Sequence, residues 1–156
     1  MSAKRKKKGP LRAGFTTGTA AAAAARAAAA VLAGLPVPRA VPIRLLNGET
    51  WSIPIENCQK RGNQAECRVV KDAGDDPDVT HQAVIGACVK WLDKGSEVAI
   101  AGGEGVGQVT KPGLEVPPGE AAINPGPRRM IREAVAEAMA EAGRSRGVHV
   151  TVFVPK

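Results

Sequence analysis

The clearest pattern along the chain is the run from Ala20 to Leu32, where almost every side chain is a methyl group. Alanine has the best helix propensity, so the run predicts a helix. Thr16, Thr17 and Thr19 stand where an N-cap is wanted, and Gly34 suits the position past the C-terminus. Val41, Ile43 and Leu45 then alternate as a strand, Asn47-Gly48 is a hairpin signal, and Trp51, Ile53 and Ile55 alternate on the way back. Pro54 argues for an edge position. Gly62-Asn63 marks another turn, and Ala65, Cys67 and Val69 form a third alternating strand. Val84, Cys88, Trp91 and Leu92 fall at i, i+4, i+7 and i+8, which predicts an amphipathic helix closed by Lys94-Gly95. Glu97 to Ala101 reads as a short strand. A further helix is predicted from about Pro127 to Ala142, with Pro127 at N1, an apolar stripe from Met130 to Met139, and Gly143 as its stop. Val148, Val150, Val152 and Val154 alternate as a last strand.

This order predicts an α+β fold: a two-layer sandwich in which a mixed β-sheet carries an Ala-rich helix and amphipathic helices on one face. Residues 1–9 read as a basic disordered tail, and residues 10–156 as one domain of ordinary size.

Composition sharpens the picture. The hydrophobic fraction is 44%, but aromatics make up only 3% and tyrosine is absent, so Ala, Val, Ile and Leu must build the core. Little aromatic surface is left for stacking bases. The formal net charge is +7, and the segment Lys4 to Lys8 contributes five positive charges, which leaves about +2 for the rest. Such a run is either a solvated extension or an arm for nucleic acid or a membrane surface. Cys58, Cys67 and Cys88 are odd in number and lack C-x-x-C spacing. They suggest neither a disulfide framework nor a zinc site, and a reducing, cytoplasmic compartment is expected. The alanine run is interrupted by Arg26 and falls short of a membrane span.

Chemistry-bearing residues collect in the turns. Lys71 to His81 packs Asp72, Asp75, Asp76, Asp78, Thr80 and His81 around Gly74 and Pro77. It is either a solvated turn with a good cap or a polar site whose repelling charges are offset by a neighbour. At the start of the alanine helix, three hydroxyls and Gly18 flank free backbone N–H groups, an arrangement that favours anions; plain capping by one threonine is the alternative. Gly102 to Gly107 matches neither a dinucleotide fingerprint nor a phosphate-binding loop. Its glycines allow a tight turn or the close approach of a ligand, and Glu104 is the charged candidate among them. A long proline-framed segment follows, from Pro112 to Pro127.

Four of these segments together resemble one family. They are Gly14-Phe15-Thr16-Thr17-Gly18-Thr19 before an alanine helix, Lys71 through His81, Gly103 through Leu114, and Gly119-Glu120 with Ala122-Ile123-Asn124-Pro125. In this order they are similar to the cobalt-precorrin-5B C(1)-methyltransferases, the CbiD family of anaerobic cobalamin biosynthesis. The sequence departs from the family pattern at Ala20, where a cysteine is usual, at Gly126, where a larger apolar residue is usual, and at Gln82, where Gly is frequent. Family members also continue into a second glycine-rich half suited to S-adenosylmethionine. The chain is therefore expected to be an incomplete or split form.

The resemblance implies methylation of C1 of a cobalt-containing tetrapyrrole, with S-adenosyl-L-methionine as methyl donor and cobalt only as part of the substrate. It makes Asp72, Asp75, Asp76 and His81 the candidates for positioning or acid–base work. Thr16, Thr17, Gly18, Thr19, Glu104, Lys111, Asn124 and Arg128, with Arg129, become candidates for holding the polycarboxylate ring. No metal site of the protein's own is implied. The expected partners are the tetrapyrrole and either a missing C-terminal half or a second copy of the chain. Nucleic acid and membrane are not expected, although a small basic nucleic-acid module and a non-catalytic tetrapyrrole-binding subunit are the competing readings.

Overall fold

The computed structural model describes residues 16–70, 83–107 and 123–155. Helix α1 spans Thr17–Leu32 and is capped by Thr16, whose hydroxyl accepts the Thr19 backbone N–H at 3.1 Å. It has no polar face. From Thr19 to Leu32 every residue is buried, as expected of a helix apolar on all sides. Strands β1 (Ala40–Arg44) and β2 (Thr50–Pro54) form a separate antiparallel hairpin, with Ile43 opposite Trp51 and Gly48 turning at φ 93°. Strands β3 (Asn57–Arg61), β4 (Gln64–Val70), β5 (Val84–Trp91), β6 (Val98–Gly102) and β7 (Val148–Phe153) make a five-stranded sheet in the order β3-β4-β5-β7-β6. Its pairs are antiparallel except β6 with β7, which run parallel. Helix α2 spans Pro125–Glu141.

One face of the sheet points into the core through Ala65, Cys67, Val69, Ile85, Ala87, Val89, Val148, Val150 and Val152. Helix α1 lies on that face over β4 and β5, and α2 packs on α1 from outside. The β1–β2 hairpin flanks both helices and contributes the buried Ile43 and Ile53. The expected α+β class with helices on one face is present. The first hairpin, however, is a sheet of its own rather than part of the mixed one.

Three expectations are corrected. The segment Val84–Trp91 is a central strand, not a helix. The helical spacing picked out Val84, Cys88, Trp91 and Leu92, none of which is fully buried. The buried set is the alternating one, Ile85, Ala87 and Val89, and the branched residues here favour the pleated surface. Trp91 is half-buried beneath the guanidinium groups of Arg144 and Arg146. Second, α2 starts earlier than expected, with Asn124 as N-cap and Pro125 as its first residue. Third, Cys58 and Cys67 face each other across β3 and β4 and are disulfide-bonded, leaving Cys88 as the free thiol. Burial is the main reason the Cys88 thiol is pushed above its usual range, with nearby Glu66 adding to it, so it is a weak nucleophile near neutral pH.

Among the described residues, Arg26 links the two helices ionically. Arg26, 8% exposed, bonds Glu137 and reaches Glu141 at 3.9 Å. Its aliphatic stem replaces methyl groups within the α1–α2 seam while its head meets the carboxylates at the rim. Arg26→Ala is expected to cost about 2 kcal/mol in urea unfolding, from lost packing and a lost charge-assisted bond. Arg26→Glu should cost clearly more, because it sets a third carboxylate beside Glu137 and Glu141. Equal stability of the two variants would mean the ion pair contributes nothing beyond its stem.

Candidate functional site

The strand register brings the described flanks of the chemistry-bearing segments to one end of the sheet. Val70 pairs with Val84, Gly86 with Phe153, and Gly102 with Val152. The end of β4, the start of β5 and the ends of β6 and β7 therefore coincide. Asp72, Asp75, Asp76 and His81 fall in the segment between Val70 and Val84 and lie outside the described residues, as does Lys111.

Beyond β6 the glycine run folds back over the end of β7. The Gly103 N–H donates to the Val152 carbonyl at 2.8 Å, the Val106 N–H to the Gly103 carbonyl at 3.1 Å, and the Val154 N–H to the Glu104 carbonyl at 2.7 Å. Gly105 takes φ 76°, and a Cβ there would lie 2.5 Å from the Val154 carbonyl oxygen. Only glycine suits both the left-handed turn and that approach. On the other side the two helices begin together. A Cβ at Gly18 would lie 2.9 Å from Cγ of Pro127, so the bare glycine lets the start of α2 rest on the first turn of α1.

Between these parts lies a cavity of about 290 Å³. Thr17, Gly18 and Ala21 of α1 form one wall; Ile123, Asn124, Pro127 and Ile131, from the start of α2, form a second. Gly105, Val106 and Gly107 with Val152 and Val154 complete it. Among the described residues the lining is mostly apolar and carries no charged side chain. Neither helix has an acidic residue in its own first turn, so no carboxylate there offsets the positive end of either peptide dipole beside it. The Asn124 side chain makes no cap hydrogen bond and remains available at the rim.

The sequence-derived candidates separate accordingly. Thr17, Gly18 and Asn124 line the cavity. Thr16 and Thr19 are turned to each other: their hydroxyls are 3.0 Å apart and Thr19 is buried, so the pair holds the helix start. Glu104 is exposed next to the cavity, and its carbonyl holds Val154. Arg128 donates to the Ile123 carbonyl at 2.6 Å, which ties the lead-in of α2 to its first turn, and Arg129 is exposed. Residues missed as site candidates are the apolar wall, Ala21, Val106, Ile131, Val152 and Val154, and the bare Gly107. The glycine run itself signalled close approach; the valines and Ile131 read only as core positions.

A polar concavity of about 430 Å³ on the outer face of β3 and β4 is lined by Asn57, Gln59, Arg61, Gln64, Glu66 and Arg68. Its ions are already engaged, Arg68 with Glu66 at 3.2 Å and with the Phe153 ring. Among the described residues no group of three or more His, Cys, Asp or Glu side chains could hold a metal ion. No helix among them is long and apolar enough to cross a membrane.

Comparison with known proteins is consistent from three directions. The family model described as CbiD matches residues 3–156. Cobalt-precorrin-5B C(1)-methyltransferase of Geobacillus kaustophilus (strain HTA426) is 52% identical over 145 residues, which is 93% of this chain and 39% of the relative. The enzyme of the same name from Bradyrhizobium sp. (strain BTAi1 / ATCC BAA-1182) is 49% identical, over 94% of this chain and 39% of its own length. The crystal structure of the cobalamin biosynthesis protein cbiD from Archaeoglobus fulgidus is similar with a TM-score of 0.65 and 29% identity, covering 93% of this chain and 45% of that one. The chain thus spans about two fifths of the length of the curated relatives it matches.

Proposed function

This chain belongs to the CbiD family, and on that premise we propose that its cavity is part of the acceptor site of a cobalt-precorrin-5B C(1)-methyltransferase. The substrate on this reading is a cobalt-containing tetrapyrrole, with the cobalt belonging to the substrate. What supports it is a single observation: Thr17-Gly18, Gly105 to Gly107 and Asn124, drawn from three of the segments that carry the family resemblance, border one cavity although they are far apart in sequence.

The reaction needs no protein nucleophile. An electron-rich ring carbon takes a methyl group, and alignment of the two partners supplies most of the rate. S-adenosylmethionine is the proposed donor and supplies the electrophilic methyl. The described lining offers no carboxylate for a ribose diol and no anionic acceptor facing a sulfonium, so these residues suit the acceptor rather than the donor. We place the donor in the part of the relatives' length that this chain does not cover. Our proposed compartment is the cytoplasm, whose reducing poise the Cys58–Cys67 disulfide would have to withstand.

The test is a methylation assay with the cobalt tetrapyrrole and S-adenosylmethionine, run with this chain alone and with the relatives' remaining portion supplied. Product heavier by one methyl is expected with the added portion. In that system Asp75→Asn and Asp76→Asn are expected to lower kcat/KM by about 10²-fold, the size of a positioned acid–base contribution. Each should change the unfolding free energy by no more than about 0.5 kcal/mol. Unchanged activity in both variants would remove the aspartate turn from the site.

A further inference from the structure

The three glycines that border the cavity are glycines for different reasons. At Gly18 a side chain would strike Pro127, and at Gly105 it would strike Val154 from a left-handed backbone. Gly107 shares neither constraint. Its φ lies outside the left-handed region, and a Cβ built on it meets no described atom within 4 Å. Neither packing among the described residues nor backbone conformation asks for glycine there, yet the residue borders the cavity. A bare backbone that no described side chain covers, beside an apolar cleft, is what the close approach of a flat ligand requires.

Size and charge fix how such a ligand sits. A tetrapyrrole with its substituents fills roughly 1,000 Å³, the upper end of small-molecule sites, whereas the cavity holds about 290 Å³. Only one edge of the ring can enter. A carboxylate carried inside would find no cation among the described lining residues and would lose hydration without compensation from them. The carboxylates therefore stay outside, by the starts of α1 and α2, whose first turns hold no acidic residue. We infer that Gly107 is a substrate-contact residue: the face of the macrocycle lies against its backbone while an apolar edge of the ring enters between Val106, Ile131 and Val152. This rests on the acceptor-site reading above and adds the ring's orientation to it.

The experiment is a titration of this chain with cobyrinic acid, a cobalt corrin bearing free carboxylates, followed by the corrin absorbance. Gly107→Val and Gly107→Ala are compared with the unaltered protein, and each is also melted without ligand. Binding by the unaltered chain is expected, weakened at least tenfold in Gly107→Val and by about threefold in Gly107→Ala, with both melting midpoints within a degree or two of the original. Should the valine variant melt early, the alanine variant decides, since its single methyl meets no described atom within 4 Å. Corrin binding as tight in a folded variant as in the original overturns the role of Gly107 and leaves the acceptor-site reading standing. Failure of the unaltered chain to bind the corrin at all overturns both.

Discussion

Leucine in place of Ala24 is expected to destabilise the protein by about 3 kcal/mol or more, enough to remove a large part of the margin of a domain this size. Ala24 is fully buried, as are its neighbours Ala22, Ala23, Ala25, Ala27, Ala28 and Ala29. Helix α1 is enclosed by β4 and β5 on one side, α2 on another and the β1–β2 hairpin on a third. Side chains of one carbon let those neighbours approach closely, so there is no unoccupied direction into which three more carbons can turn. Overpacking of this kind usually costs 1–3 kcal/mol, and more where neither partner can yield. Here the partners are a sheet and a helix that is itself tied through Arg26 to Glu137. Urea unfolding measures the effect as a shift in midpoint at constant slope. A midpoint unmoved by the substitution would show that one side of α1 is open to solvent, contrary to the buried row from Thr19 to Leu32.

The same helix was the most legible part of the sequence, because its composition left no alternative. The strands with strict alternation were nearly as plain: Val41 to Leu45, Ala65 to Val69 and Val148 to Val154 all signal one buried face. The central strand β5 was misread because Val84 to Leu92 satisfies two periods at once, and the choice between them depends on which face meets α1. Strand β3 went unseen because Asn57 to Arg61 offers one apolar side chain, Cys58; the edge strand is held by its neighbour rather than by its own pattern. The disulfide was within reach of the sequence. Cys58 and Cys67 stand equally far from the turn at Gly62-Asn63, so a tight hairpin there sets them face to face. The candidate site divides in the same way. Helix starts and glycine runs are local features and were visible. That Ile131 of α2 and Val152 of β7 would close a cavity with Gly18 depends on pairing across the whole chain, which no local pattern encodes.

Gly105→Val is expected to damage both stability and ligand binding, and the comparison with Gly107→Val separates turn from contact. Gly105 sits at φ 76°, a region costly for a branched residue. Its Cβ would also lie 2.5 Å from the Val154 carbonyl oxygen and 2.8 Å from the Val154 Cβ. Backbone cannot yield there as a flexible side chain would, so the glycine turn has to lift off the end of β7. Lifting it breaks the bond from the Val154 N–H to the Glu104 carbonyl and withdraws one wall of the cavity. The strain of a residue forced into a sparsely populated conformation is about 1–3 kcal/mol, and the lost bond adds about 1 kcal/mol. A loss of about 2–4 kcal/mol in urea unfolding is therefore expected, together with corrin binding too weak to measure. Gly107→Val should lose the binding and keep the stability, since its Cβ meets no described atom within 4 Å. If Gly105→Val instead keeps the original midpoint and still binds the corrin, the turn does not rest on Val154, and the cavity has no fixed wall on that side.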